Sequence, residues 1–166
     1  QIGYPVMLKA VAGGGGRGIR RVESVDELAI AFERCVSEAE SAFGDGTLFM
    51  EKLVVDPRHI EVQILADSRG RTTHLYERDC SVQIRNQKVI EVAPAFSLTE
   101  ELRSKLHQDA INLVKGADYV NAGTVEFLVD PETSGYYFIE CNPRIQVEHT
   151  ITEEVLGIDL IEAQIE

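Results

Sequence analysis

The stretch TVEFLVDPETSGYYFIECNPRIQVE, residues 124–148, decides how this chain folds. Thr124–Val129 and Tyr136–Asn142 are strand-length runs rich in apolar residues, and Asp130–Gly135 between them holds a proline and a glycine, so the segment reads as an antiparallel hairpin. From Glu140 onward polar and apolar residues alternate: Glu140, Asn142, Arg144, Gln146 and Glu148 are separated by Cys141, Pro143, Ile145 and Val147. Side chains two apart in an extended chain share a face, so the polar row points one way. Such alternation also suits the solvated face of an edge strand. Against that, the Tyr137-Phe138-Ile139 run before it reads as buried on both sides, so the row emerges from a core. The hairpin brings Glu126 level with Glu140, and a register slip of one residue would put them on opposite faces.

Facing carboxylates about 5 Å apart repel by roughly 3 kcal/mol at an effective dielectric near 20. A cation relieves this, and the hard oxygen donors of Glu126, Glu140 and the Asn142 amide suit magnesium, which takes its remaining ligands from water and phosphate. Arg144 offers a planar fork of donors to a carboxylate-like anion, and Glu148 on the same face is placed to accept a proton from it. Metal, phosphate and a small oxyanion in one cleft describe phosphoryl transfer onto an acid.

Upstream, Tyr4–Val11 reads as a strand leading into Gly13-Gly14-Gly15-Gly16-Arg17-Gly18. Gly13, Gly15 and Gly18 satisfy G-x-G-x-x-G, but Ile19–Val22 looks extended, so the loop joins two strands and lacks the helix start of a dinucleotide fold. Backbone N–H groups without Cβ atoms approach phosphate closely, and Lys9 adds a positive charge; a surface hairpin is the plain alternative. Ser24 with Glu27, and Ser97 with Glu100, look like capping boxes at the starts of two helices. The first would bury Leu28, Ala29, Phe32, Val36 and Phe43 and stop at Gly44; the second would bury Leu102, Leu106, Ala110, Leu113 and Val114. Thr47–Val55, His59–Ala66 and Arg71–Glu77 read as strands, and the end of the chain from about Thr152 as helix broken at Gly157. The order predicts an α+β protein in two lobes, with the boundary near Leu53–Asp56.

With 166 residues and 44% apolar content the chain suits one compact domain or two small lobes. No apolar run approaches the roughly 20 residues of a membrane helix. A net charge of −12 lacks the basic footprint of a nucleic-acid or anionic-membrane binder. Cys35, Cys80 and Cys141, odd in number and widely spaced, are expected to be reduced packing residues. His74, His107 and His149 are expected at surface or capping positions. The start at Gln1, with no initiator Met, is that expected of a piece of something longer.

Lys9-Ala10 with the glycine loop, Pro57–Gln63, Glu77–Ser81, Asn121–Phe127 and Phe138–His149 together resemble the biotin carboxylase family of ATP-grasp enzymes, over about Gly3–Ile165. The resemblance implies an ATP-grasp fold, truncated relative to the full biotin carboxylase, with a lid subdomain at 1–53 and a partial antiparallel-sheet lobe at 54–166. Lys9, Gly15, Gly16, the linker Glu51-Lys52-Leu53-Val54 and His59 would bind ATP, with Gln83 and Asn86 in the same cofactor-binding set. Glu126, Glu140 and Asn142 would hold magnesium, or manganese in its place. Lys88, Arg144, Gln146 and Val147 would surround bicarbonate, and Glu148 would be the base for its attack on the γ-phosphate. The carboxyphosphate so formed would carboxylate biotin, Arg144 also stabilising the charge that develops on the biotin. The implied partners are a biotin carboxyl carrier domain, a carboxyltransferase component and further copies of the full-length enzyme. The implied location is the cytoplasm, or the mitochondrial matrix in a eukaryote.

Ile84 stands where the family usually has an arginine, and Asn86 with Pro143 leans towards the pyruvate carboxylase branch. The segment on its own is expected to turn over slowly or not at all. A carbamoyl phosphate synthetase-like ligase and a degenerate nucleotide-binding module are the competing readings. The retained Glu126, Glu140, Asn142, Arg144 and Glu148 argue against the module, and the Gln146-Val147-Glu148-His149 ending against the ligase.

Overall fold

A computed structural model describes residues 2–13, 17–85 and 87–165. The chain divides into two compact units, Gln1–Val55 and Asp56–Glu166. That break falls two residues beyond the 53/54 boundary read from the sequence.

Unit 1 is a small antiparallel sheet with one helix against it. β1 (Val6–Ala10), β2 (Ile19–Val22) and β3 (Leu48–Lys52) lie in the order β2-β1-β3, and α1 spans Val25–Phe43. Val6 and Leu8 of the central strand bury one face with Val22 and the α1 residue Cys35. The loop does join two strands: β1 and β2 pair antiparallel from Lys9↔Ile19 to Val6↔Val22. Gly18 has φ +66°, and a Cβ there would stand 2.7 Å from the Ala10 Cβ, so this corner of the loop requires glycine. The candidate ligands Gly15 and Gly16 lie outside the described residues, as does Asn86.

The α1 stripe is rotated from its expected position. Leu28, Ala31 and Cys35 pack inward with Ala39 buried beyond them, whereas Ala29 is exposed and Phe32 is 47% exposed. Small residues at 31, 35 and 39 let the helix lie close on the sheet, which a phenylalanine in the stripe would prevent. Ser24 is the N-cap but its side chain makes no capping bond; Glu27 accepts from the N–H of Glu23, one residue earlier than a capping box requires.

Unit 2 is built on a five-stranded antiparallel sheet in the order β6-β5-β4-β7-β8. The strands are β4 (Arg58–Ala66), β5 (Thr72–Ile84), β6 (Gln87–Val92), β7 (Asn121–Val129) and β8 (Tyr136–Asn142). Three helices accompany them, α2 (Glu100–Gly116), α3 (His149–Leu156) and α4 (Leu160–Ile165). Ile60, Val62 and Ile64 of β4, Val125, Phe127 and Val129 of β7, and Leu102, Leu106, Ala110 and Val114 of α2 form the core. Leu113, expected there, is 44% exposed.

α2 begins later than expected. Leu98 is buried in the core, Thr99 is the N-cap, and its hydroxyl accepts from the N–H of Leu102 at 3.3 Å. Burial of Leu98 directs the chain inward just before the first turn, so the cap falls on Thr99 and not Ser97. Replacing Thr99 with Ala is therefore expected to cost about 1 kcal/mol. Ser97→Ala should cost less than about 0.5 kcal/mol, and paired urea titrations of the two variants check the assignment.

β5 runs well past Glu77, and β6 was not expected as a strand at all. A register break between Val62 and Ile64 separates Ile64↔His74 from Val62↔Glu77, and Tyr76 inside it has φ +60°. This bulge resets the alternation. His74 and Glu77 stand opposite core residues of β4, while Arg78 stands opposite Glu61 on the other face. Without the extra residue, Arg78 would share the face of His74.

Three further expectations are corrected. Tyr137 and Phe138 are 51% and 52% exposed because β8 is an edge strand with no neighbour beyond it among the described residues. His107 is buried, its Nε2 2.6 Å from Glu77 Oε2 and its ring stacked 3.9 Å from His74, so it is a core residue satisfied by a buried carboxylate. Cys35 and Cys80 are buried as packing residues, but Cys141 is exposed.

Candidate functional site

β4 positions the site by alternation. While Ile60, Val62 and Ile64 face α2, the interleaved Glu61 and Gln63 face the opposite side and are also fully buried. β7 repeats the pattern, with Thr124 and Glu126 on that polar side and Val125 and Phe127 in the core.

Glu126 pairs in register with both Glu61 and Glu140, and Thr124 with Asn142. The hairpin thus holds the two expected carboxylates side by side on one face. The strand ends at Asn142, however, and the chain bends at Arg144 and turns through Val147-Glu148 into α3. The expected extended run stops there because Pro143 removes a ladder donor. The even-numbered side chains nonetheless converge. A cavity of about 390 Å³ is lined by His59, Gln83, Gln87, Lys88, Glu126, Glu140, Asn142, Arg144, Gln146, Val147 and Glu148. A larger one, about 670 Å³ between α2 and β8, holds the single carboxylate Asp109, which accepts from the Tyr136 hydroxyl at 2.7 Å. The chemistry lies in the smaller cavity.

Lys88 is its electrostatic centre. Its Nζ donates to Glu61 Oε2, to Glu126 Oε1 at 3.0 Å and to Glu148 Oε1 at 2.8 Å. Burial alone would lower the Lys88 pKa; Glu61, Glu148 and Glu126 outweigh it and hold the ammonium above the usual lysine range. Burial would likewise raise Glu126, but His59 and Lys88 bring its carboxyl well below the usual range. Glu148 is lowered too, burial being overcome chiefly by the hydrogen bond from Lys88. Both acids are therefore carboxylates at neutral pH.

The rest of the network fixes orientations. His59 meets Glu126 Oε2 through Nε2, while Gln83 Nε2 lies 2.8 Å from His59 Nδ1 and donates to the Cys80 carbonyl at 2.9 Å. Gln146 Nε2 donates to Glu126 Oε1 at 3.1 Å, and its Oε1 accepts from the Thr124 hydroxyl at 2.7 Å, so this residue is structural glue as well as cavity lining. Arg144 is exposed and makes only a 3.1 Å bond to the Ile145 carbonyl and a long contact to Asn142, leaving most of its fork free for an anion. Val147 is 90% exposed.

The donor set fits a hard divalent cation. Asn142 Nδ2 bridges Glu126 Oε1 at 2.8 Å and Glu140 Oε1 at 3.4 Å, standing between the two carboxylates where a cation would otherwise stand. Turning this amide over would present its oxygen to the same position. Glu61, Cys80 and Glu148 also bring ligand atoms within 4.8 Å of one another, but the Lys88 ammonium donates to both of those carboxylates, so that place already has its cation.

In unit 1, Lys9 pairs with Glu51, and Lys52 Nζ donates to the Tyr4 carbonyl at 2.9 Å. Leu53 N–H donates to the Pro5 carbonyl at 3.2 Å, and Val54 follows it after the end of β3. Of the residues predicted for the site, His59, Gln83, Lys88, Glu126, Glu140, Asn142, Arg144, Gln146, Val147 and Glu148 lie together in unit 2, whereas Lys9, Glu51, Lys52, Leu53 and Val54 belong to unit 1. The sequence reading missed Glu61, Gln63, Arg78, Thr124 and Thr152, all buried polar residues around this cavity. For Glu61 and Gln63 the signal was the polar half of the β4 alternation, which looks like a solvent face until the strand proves buried on both sides.

The chain is similar to known proteins over nearly its whole length. Residues 1–166 match the family described as carbamoyl-phosphate synthase L chain, ATP binding domain. Pyruvate carboxylase 1 of Caenorhabditis elegans is 61% identical over 165 residues, covering 99% of this chain and 14% of that protein. The biotin carboxylase–β,γ-ATP complex from Campylobacter jejuni superimposes with a TM-score of 0.91 at 55% identity, over 99% of this chain and 36% of that one. The biotin carboxylase domain of Hydrogenobacter thermophilus 2-oxoglutarate carboxylase, solved with MgADP, ADP and bicarbonate, gives 0.88 at 50% identity and the same coverage, 99% and 36%. The chain spans about a seventh of the length of the curated relatives it matches.

Proposed function

The chain belongs to the carbamoyl-phosphate synthase L chain ATP-binding domain family, among its biotin carboxylases of ATP-grasp fold, and from that premise we propose that it performs the ATP-dependent activation of bicarbonate for biotin carboxylation. The observation that carries the proposal is the convergence of Lys88, Glu126, Glu140, Asn142, Arg144, Gln146 and Glu148 on one cavity.

Each group has a role its surroundings support. The free fork of Arg144 orients bicarbonate, and Glu148, held ionised by Lys88, takes the bicarbonate proton as its oxygen attacks the γ-phosphorus of ATP. The bond to ADP breaks as the bond to bicarbonate forms, giving carboxyphosphate and ADP. Glu126, Glu140 and Asn142 would hold magnesium, which neutralises charge on the transferring phosphates when bound. Lys9 and the glycine loop of unit 1 would meet the phosphates, and Glu51-Lys52-Leu53-Val54 the adenine. The carboxyl acceptor would be biotin on a carrier domain, which then delivers the group to a carboxyltransferase component.

The test uses the intact protein. Bicarbonate-dependent phosphate release from MgATP should rise when free biotin is added. A rate indifferent to biotin, with carbamoyl phosphate formed when ammonia is supplied, would move the chain to the synthetase reading.

A further inference from the structure

Arg78 is fully buried, yet it belongs to neither the metal nor the anion position. Its guanidinium grips three partners: Nε donates to Glu61 Oε1, and Nη1 donates to Gln63 Oε1 and to Thr152 Oγ1, both at 2.9 Å. Thr152 lies on α3, four residues after Glu148, the N-cap of that helix. Residues four apart stand on the same side of a helix, one turn apart.

The contacts therefore close a ring. Glu148 meets Lys88, Lys88 meets Glu61 through Oε2, Arg78 meets Glu61 through Oε1, Thr152 meets Arg78, and one turn of α3 returns to Glu148. Four elements are tied at these points: β4 by Glu61, β5 by Arg78, β6 by Lys88 and α3 by Thr152. Glu148 makes no capping bond to its own helix; its carboxylate is held by Lys88 and by its own backbone N–H, which moves with the start of α3. Its aim depends on Lys88 at one end and, through the helix, on the Thr152 tether at the other.

Stability alone is a poor reason for this arrangement. A buried ion pair seldom out-stabilises an apolar replacement of the same shape. Here Arg78 Nη2 is also buried without a hydrogen-bond partner, a further desolvation cost. What the ring does supply is a fixed place for the first turn of α3 relative to the sheet.

We infer that Arg78 and Thr152 are positioning residues that set where the Glu148 carboxylate stands, the buried guanidinium clamping α3 to β5 while sharing Glu61 with Lys88. The inference rests on Glu148 serving as the base. Loss of the tether then slows proton removal from bicarbonate and leaves nucleotide binding alone, because neither residue lines the cavity.

Thr152→Val in the full-length protein removes the acceptor while keeping the side-chain shape. Its kcat for bicarbonate-dependent ATP cleavage is expected to fall roughly tenfold, as displacements of an ångström or less at a reacting group do, with KM for MgATP unchanged. Thr152→Ser, which restores the hydroxyl, should recover most of the rate. Arg78→Lys keeps the charge beside Glu61 but loses the fork, and should show the same split. A Thr152→Val enzyme with unaltered kcat would overturn the inference. So would a loss of rate matched by an equal loss of MgATP affinity, or a serine variant as slow as the valine one. If the unmodified protein shows no bicarbonate-dependent ATP cleavage, the functional reading itself fails; if it does and the valine variant keeps pace with it, only the tether fails.

Discussion

Replacing Lys88 with Met should destabilise the protein by about 3–5 kcal/mol and make its stability fall with rising pH in a range where the unmodified protein's does not change. Glu61, Glu126 and Glu148 all converge on this one ammonium, and the first two are buried almost completely. Without it, the partners left among the described residues are Arg78 beside Glu61, and His59, Asn142 and Gln146 beside Glu126. In the unmodified protein, Glu126 and Glu148 have lowered pKa values, so their contribution is present above the unfolded pKa of about 4.3 and is lost as pH falls through the folded values. Lys88 is raised, so its contribution is present below its unfolded pKa of about 10.4 and is lost only as pH rises through the still higher folded value. The unmodified protein is therefore expected to be insensitive to pH, as far as these groups go, from about pH 5 to about pH 10.

In the Met variant the crowded carboxylates repel, their pKa values move up, and the fold should weaken as pH rises from about 5 to about 8. Thermal unfolding in magnesium-free buffer, followed by circular dichroism since the chain has no tryptophan, reads both effects. A Tm lowered by upwards of about 10 °C at pH 8, and by less at pH 5, is the expected result. Equal losses at the two pH values would show that Lys88 acts by packing and not by charge.

The hairpin was legible because one glycine- and proline-bearing connection joins Thr124–Val129 and Tyr136–Asn142, but its register was not, since Val129↔Tyr136 to Phe127↔Phe138 would continue to Glu126↔Ile139. A bulge at Ile139, not the turn, sets Glu126 beside Glu140; the pairing of the two strands is what followed from local pattern. Strand β6 and the second half of β5 did not. Residues 78–92 are dense in charged and amide side chains, which reads as loop, and they form strands because Arg78 and Lys88 find carboxylate partners beneath the sheet. Partners distant in sequence leave no periodic signal. The Tyr76 bulge was illegible for a related reason: it decides which face Arg78 takes, yet nothing in Leu75-Tyr76-Glu77 marks a left-handed residue. The α1 stripe failed differently. Hydrophobicity favoured Phe32, and close approach to the sheet favoured Ala31 and Cys35.

Glu126 and Glu140 stand in register, but they do not do the same amount of structural work, and this separates metal binding from folding. Both oxygens of Glu126 are engaged, by His59 on one side and by Lys88, Asn142 and Gln146 on the other, so removing its charge disturbs the network as well as any cation site. Glu140 is exposed, and its carboxylate has one long 3.4 Å contact from Asn142. Glu140→Gln should therefore leave the melting temperature within about 2 °C, since surface substitutions of this kind change stability by no more than about 0.5 kcal/mol. If Glu140 is a magnesium ligand, the same change should lower kcat for MgATP cleavage by at least about a hundredfold, the scale on which single preorganised electrostatic groups act. It should also raise the magnesium concentration needed for half-maximal rate. Titrating magnesium against ATP cleavage in the full-length variant reads both. Unchanged turnover and magnesium dependence in a stably folded Glu140→Gln protein would remove Glu140 from the cation site, and with it the pairing of two carboxylates on which the magnesium assignment depends.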